Sequence, residues 1–114
     1  MLYTLFITDK NIPEGSAGCA KAWFIYIRPA YKEDRPLLEH EKVHVRQFWR
    51  TLGFHALFYL LSKTYRFKAE VEAYRTQLSY IPDDDKEINR VKFAERISIN
   101  YGLNITREEA YKLL

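Results

Sequence analysis

Apolar residues are arranged along the chain first in short runs with strand character and then in stripes with helical spacing. Leu2 to Thr8 ("LYTLFIT") is short, β-branched and aromatic, which predicts a strand. Asp9 to Gly18 is polar and interrupted by Pro13, Gly15 and Gly18, which predicts a loop or a wide hairpin connection. Ala22 to Arg28 ("AWFIYIR") predicts a second strand, with Trp23, Ile25 and Ile27 on one face and Phe24 and Tyr26 on the other. Pro29 and Pro36 bracket a connection into a helix over Arg35 to Leu52, capped by Asp34 and stopped at Gly53. Leu38, Val45, Trp49 and Leu52 form its expected apolar stripe. Phe54 to Ile81 is a further helical stretch with its expected break at Ser62 to Thr64. Asp83 to Gly102 opens with three aspartates suited to a helix N-terminus, with Ile88, Val91, Ala94 and Ile97 expected on its inner face. Thr106 and Glu109 form a capping box for a short C-terminal helix.

Composition narrows the class. A chain of 114 residues, 47% hydrophobic and 16% aromatic, can bury a core as a single domain over residues 1–114. A single cysteine, Cys19, excludes a disulfide framework and reads as a small buried or half-buried hydrophobe. The net charge of +3 tolerates an anionic partner without requiring one. Met1 to Thr8 lacks the basic start of a signal peptide, and "FHALFYLL" (Phe54 to Leu61) is too short to span a bilayer. A cytoplasmic protein with no membrane span is therefore the expectation.

Two histidines stand four residues apart in "HEKVH", His40 to His44, within the first predicted helix. Side chains at that spacing share a face, with Cβ atoms roughly 5–6 Å apart. Both imidazoles can then converge on one tetrahedral Zn²⁺ at about 2.0–2.1 Å. Glu41 sits about 100° around the helix from His40, beside such an ion rather than on it. A carboxylate there is placed to act as a general base. A catalytic zinc takes a third protein ligand and keeps a fourth position open. Glu70 and Glu72 are the downstream candidates, and a spacing of two turns them to different sides of a helix, so only one can serve.

In these residues the chain resembles the zincin metallopeptidases, and within them the gluzincin branch. There a helix after HExxH carries a glutamate ligand, often as E-x-x-A, which Glu70-Val71-Glu72-Ala73 matches 26 residues beyond His44. The resemblance covers about Trp23 to Gln77. It implies His40, His44 and Glu70 as zinc ligands, with Glu72 as second choice, and Glu41 as general base and proton shuttle. It also implies that the strand at Trp23, Phe24, Ile25 and Tyr26 pairs through an exposed edge with an extended peptide. Two positions depart from the family pattern, Lys42 and Arg46; Lys42 lies about 200° from His40 and is expected to point away.

Tyr74, one turn beyond Glu70, could bring its hydroxyl to the open position as a catalytic group. Tyr26 and Arg75 are weaker candidates for that role. His55 is expected to be a packing residue. "KTYRFK" (Lys63 to Lys68) alternates basic and aromatic residues and reads as a solvated helix face with two core aromatics, rather than a nucleic-acid or lipid-headgroup site. Asp83 to Asp85 lacks the glycine and distal glutamate of a calcium loop.

The expected fold is α+β: a minimal zincin-like domain with a small two- or three-stranded sheet on the HExxH helix and further helices behind it. The expected function is zinc-dependent hydrolysis of a peptide bond in a peptide or protein substrate. The rival expectation is a non-catalytic structural or assembly protein on the same scaffold. The rival rests on the short chain, which leaves little to build the far wall of a cleft, so a protein partner or a second copy would complete it. Short zincin-like chains look similar to accessory proteins of bacteria and their phages, which adds a virion-associated role. A nucleic-acid-binding module is the weakest of the three readings.

Overall fold

A computed structural model describes residues 1–114. Its N-terminal third forms three short strands, β1 (Thr4–Ile7), β2 (Gly18–Lys21) and β3 (Phe24–Ile27). They lie in the order β1-β3-β2, with β1 parallel and β2 antiparallel to β3. The strand expected over Ala22 to Arg28 is therefore shorter, and β2 is an element that the sequence pattern did not announce. "GCAK" carries no alternation of its own and is held by its partner. Gly18 opens it because a Cβ there would come within 2.9 Å of both the Ile27 side chain and the Tyr26 carbonyl oxygen. Ala22 and Trp23 make the two-residue hairpin link from Lys21 to Phe24, with Ala22 at φ 54°.

This order overturns one expectation. β3 has β1 on one side and β2 on the other, so Trp23, Phe24, Ile25 and Tyr26 offer no free edge for a peptide. The free edges belong to β1 and β2. The alternation within β3 does hold: Ile25 and Ile27 are buried beneath the first helix, while Tyr26 stacks on Phe6 across the other face at 5.3 Å.

Five helices follow: α1 (Arg35–Arg50), α2 (His55–Leu61), α3 (Lys63–Ser79), α4 (Asp83–Asn100) and α5 (Arg107–Leu113). The Asp34 side chain accepts from the Leu37 amide at the start of α1, and Pro36 sits in its first turn, where a missing N–H is harmless. α1 ends two residues early. Leu52 leaves the helix at φ 54° and is 87% exposed, so it is not part of the buried stripe, and Trp49 is also exposed. Ser62 breaks the next stretch and caps α3 by accepting from the Tyr65 amide. In α4 the inner face is Phe93, Ala94 and Ile97, while Ile88 and Val91 are exposed. Ile88 lies nine residues from Ile97, about 180° around the helix, so the expected stripe holds at Ala94 and Ile97 and drifts out of phase toward Ile88. Thr106 caps α5 as expected by accepting from the Glu109 amide, while the second arm differs: the Glu109 carboxylate accepts from the Thr106 hydroxyl.

Two separate apolar clusters result. Ile25, Ile27 and Val45 join the sheet to α1. Tyr74, Leu78, Phe93, Ala94, Ile97, Leu103 and Ala110 join α3, α4 and α5. Between them α1 lies against α3 along a seam whose buried members include His40, Glu41, Gln47, Glu70 and Gln77. No helix is long and apolar enough to cross a membrane.

Candidate metal centre

The seam places polar side chains where apolar ones would be cheaper, and their arrangement explains them. His40 and His44 leave α1 on the same side, one turn apart, and Glu70 of α3 faces both. His40 Nε2 lies 3.2 Å from His44 Nε2 and 3.6 Å from Glu70 Oε1, and His44 Nε2 lies 3.4 Å from Glu70 Oε1. Ligand atoms around a tetrahedral ion with bonds of about 2.0–2.1 Å are about 3.3–3.4 Å apart, so the triangle has the size of one face of that tetrahedron. Glu70 Oε1 is buried with no hydrogen-bond donor of its own. A buried carboxylate oxygen aimed at two imidazole nitrogens is costly unless a proton or a cation is held between them. His40, His44 and Glu70 thus form a group that could hold a metal ion.

Charge coupling is strong within the group. Burial pushes His44 down, but the close negative charge of Glu70, together with Glu41 and Gln47, outweighs it and holds the imidazolium up to about 9. Burial raises Glu70, yet the neighbouring His44 and His40 bring it well below the usual carboxylate range. Glu41 is pushed up, mainly by burial and also by Glu70, with both histidines opposing.

The surroundings orient His44 and Glu70, whereas His40 Nδ1 is buried without a hydrogen-bond partner. His44 Nδ1 meets Gln47 Oε1 at 2.9 Å, while Gln47 Nε2 donates to the Ala69 carbonyl and to Glu72. With Gln47 oriented in this way, His44 Nδ1 is the donor and Nε2 is left to face Glu70. Tyr59 of α2 donates to Glu70 Oε2 at 2.6 Å, leaving Oε1 for the histidines. Glu72, the second choice as ligand, is turned outward and paired with Arg50 at 3.0 Å. Lys42 points away, to Glu39 and the Tyr3 ring, and Arg46 is exposed. The Tyr74 ring packs edge-on to His40 at 4.5 Å, and its hydroxyl shares a hydrogen bond of 2.7 Å with Tyr101. Burial pushes Tyr74 up to about 12, against the Tyr101 hydrogen bond. His55 is half-buried among His44, Tyr59 and Tyr65, with Nδ1 2.6 Å from the Tyr65 hydroxyl. Burial and the charge of His44 lower His55 to about 4.

A cleft of about 780 Å³ borders the group and is lined by both His40 and Glu41. Ser16, Ala17 and Gly18, leading into β2, form one side, and Asn89, Lys92 and Arg96 of α4 form another. Tyr74 and Tyr101 also line it, whereas Arg75 and Tyr26 do not. Residues of α4 thus line the same cleft as His40 and Glu41. Gln47, Tyr59 and Tyr101 were missed in the sequence. Gln47 stands three residues after His44, and Tyr59 four after His55, spacings that place each pair on one helix face. No local pattern marks Tyr101. Comparison of the chain with family models, with curated proteins and with solved structures finds no match.

Proposed function

We propose that the protein is a zinc-dependent metallopeptidase of zincin-like, gluzincin type, with His40, His44 and Glu70 as ligands and Glu41 as general base. The observation that carries this reading is the ligand-sized triangle of two imidazole nitrogens and one unpartnered carboxylate oxygen, beside a glutamate that opens onto a cleft. Zinc suits two imidazoles and a carboxylate, and when bound it would supply Lewis acidity toward an amide carbonyl and toward water. Glu41, raised by burial, accepts a proton from water at its carboxylate and passes it to the leaving amine. Tyr74 and Tyr101 share a hydrogen bond on the cleft wall, so one of the two hydroxyls keeps a proton that it donates to the carbonyl oxygen as it gains charge. The outer edge of β2 offers backbone groups to an extended peptide, the role first expected of β3.

The metal group comprises three protein residues, which favours an open fourth position over a closed structural site. The test is zinc content by mass spectrometry on wild type, His44→Ala and Glu41→Gln, followed by peptide-library cleavage. About one zinc in wild type and Glu41→Gln, none in His44→Ala, and cleavage by wild type alone is the expected result. Zinc without cleavage would move the protein to the structural or assembly reading. No zinc in any of the three would remove the peptidase reading and leave a binding or assembly module.

A further inference from the structure

α2 is inverted relative to an ordinary surface helix. Its inward side chains are His55 and Tyr59, which reach Tyr65 and Glu70. Its outward ones, with the turn before it, are apolar: Leu52 is 87% exposed, Phe54 55%, Leu57 47%, Phe58 42%, Leu60 72% and Leu61 74%. Phe54 and Phe58 stack on each other at 6.1 Å, with Phe58 also edge-on to Tyr65, and both remain exposed. Single exposed apolar residues are ordinary, whereas six within ten positions mark a surface with a counterpart.

The charge around this patch says what the counterpart is. From Lys42 to Lys68 the chain has six lysines and arginines and no aspartate or glutamate. The acids that bracket the segment, Glu41 and Glu70, are both buried. The rest of the chain is net acidic; Lys42 and Arg50 are paired with Glu39 and Glu72, which leaves four cations of this segment without an acidic partner. Lys63 directly follows the helix, and Arg66 lies over the Tyr59 ring at 5.7 Å. Arg46 and Lys68 are exposed, and none of these four is in an ion pair. An apolar helix with a cationic margin, too short to span and free of acidic groups, matches an anionic lipid surface: the leucines and phenylalanines enter the acyl boundary while the cations meet headgroups. A second copy of the chain is disfavoured, since a two-fold contact through this patch would set cation against cation.

We propose that α2 and the turn at Leu52 to Phe54 form a docking surface for anionic phospholipid, with the helix lying in the plane of the bilayer surface. The proposal is independent of catalysis at the metal group. It adds a location, because His55 and Tyr59 tie the docked helix to that group, about one helix diameter, roughly 10–12 Å, from the surface.

The experiment is co-sedimentation of the full chain with vesicles of phosphatidylcholine alone or with about one-third phosphatidylserine, across a salt series. Wild type is compared with Leu60→Asp/Leu61→Asp and Lys63→Gln/Lys68→Gln, and circular dichroism checks that each is folded. Wild type should favour the anionic vesicles by roughly tenfold or more, with a preference that fades as salt rises. Both variants should lose that preference while keeping the wild-type spectrum, since the substituted side chains are exposed. Equal partition onto both vesicles, or an unaffected leucine variant, overturns the proposal. Failure to bind either vesicle also overturns it. Light scattering then separates a second copy, seen as a dimer lost in the leucine variant, from an acidic protein partner, consistent with a monomer.

Discussion

Tyr59 shows how much one hydroxyl can decide. Glu70 has two oxygens, and the bond from Tyr59 engages one of them, so the other is presented to His40 and His44 in a single orientation. Removing such a support usually costs about 10–100-fold in metal affinity. Tyr59→Phe should lower zinc affinity by that order, read by competition with a chromophoric chelator, while leaving the helix content intact. A second prediction concerns His44. Its folded pKa, about 9, lies above its ordinary 6.5 because Glu70 outweighs burial. The stabilisation is therefore fully present below pH about 6.5 and is lost as pH rises through about 9. Thermal melts in chelator should show the midpoint falling across that interval. Saturating zinc should flatten the decline, because the ion takes the place of the proton. A midpoint flat with pH in chelator would contradict the coupling.

At the scale of elements, Arg28 organises the loop that walls the cleft. Its guanidinium donates to the carbonyls of Asp9, Ile12, Pro13 and Ser16 and pairs with the Asp9 carboxylate at 3.1 Å. Hydrogen bonds from a charged donor contribute about 1.5–3 kcal/mol where they are shielded, and less where water competes, as it does at Asp9. Arg28→Ala should destabilise the fold by about 1–2 kcal/mol in chemical denaturation. It should also speed amide exchange over residues 9–18 far more than in α3 to α5. A uniform rise in exchange across the chain would argue against a local role. This loop also shows what was legible in advance. The helices were, because caps such as Asp34 and Thr106 and breakers such as Ser62 act within a few residues. So was the His40–Glu41–His44 spacing, which needs only helical geometry. β2 was not, because "GCAK" becomes a strand through pairing with β3 across a hairpin. The buried face of α4 was legible only at Ala94 and Ile97, since Ile88 and Ile97 are equally apolar and only packing against α3 and α5 selects one. For the same reason the choice of Glu70 over Glu72 came from the resemblance and then from contact with Arg50 and Tyr59, rather than from any property of the two residues themselves.

At the scale of the whole molecule, ligand binding to the folded state alone should appear as stability. Zinc at a hundredfold its Kd would add about 2.7 kcal/mol, which for a chain of this length is a Tm rise of roughly 10 °C. Calorimetry of wild type with zinc and with chelator measures it directly. His44→Ala, unable to complete the triangle, should show no such rise.

The division of the core into two clusters carries a mechanical corollary. The sheet and α1 form one body, and α3, α4 and α5 form another. Across the boundary run Gln47 to Ala69 and Glu72, Arg50 to Glu72, and the histidine–glutamate contacts. The α1–α3 contact is broad, but its buried histidines and carboxylates are neutralised only by one another, so this boundary is the plane along which the molecule should first come apart. An ion shared by α1 and α3 would act as a rivet through that plane. Without it, native-state hydrogen exchange should resolve two cooperative units with different opening free energies. With it, the two should merge into one, and the same three side chains that hold the metal would set whether the protein unfolds in halves or as a whole.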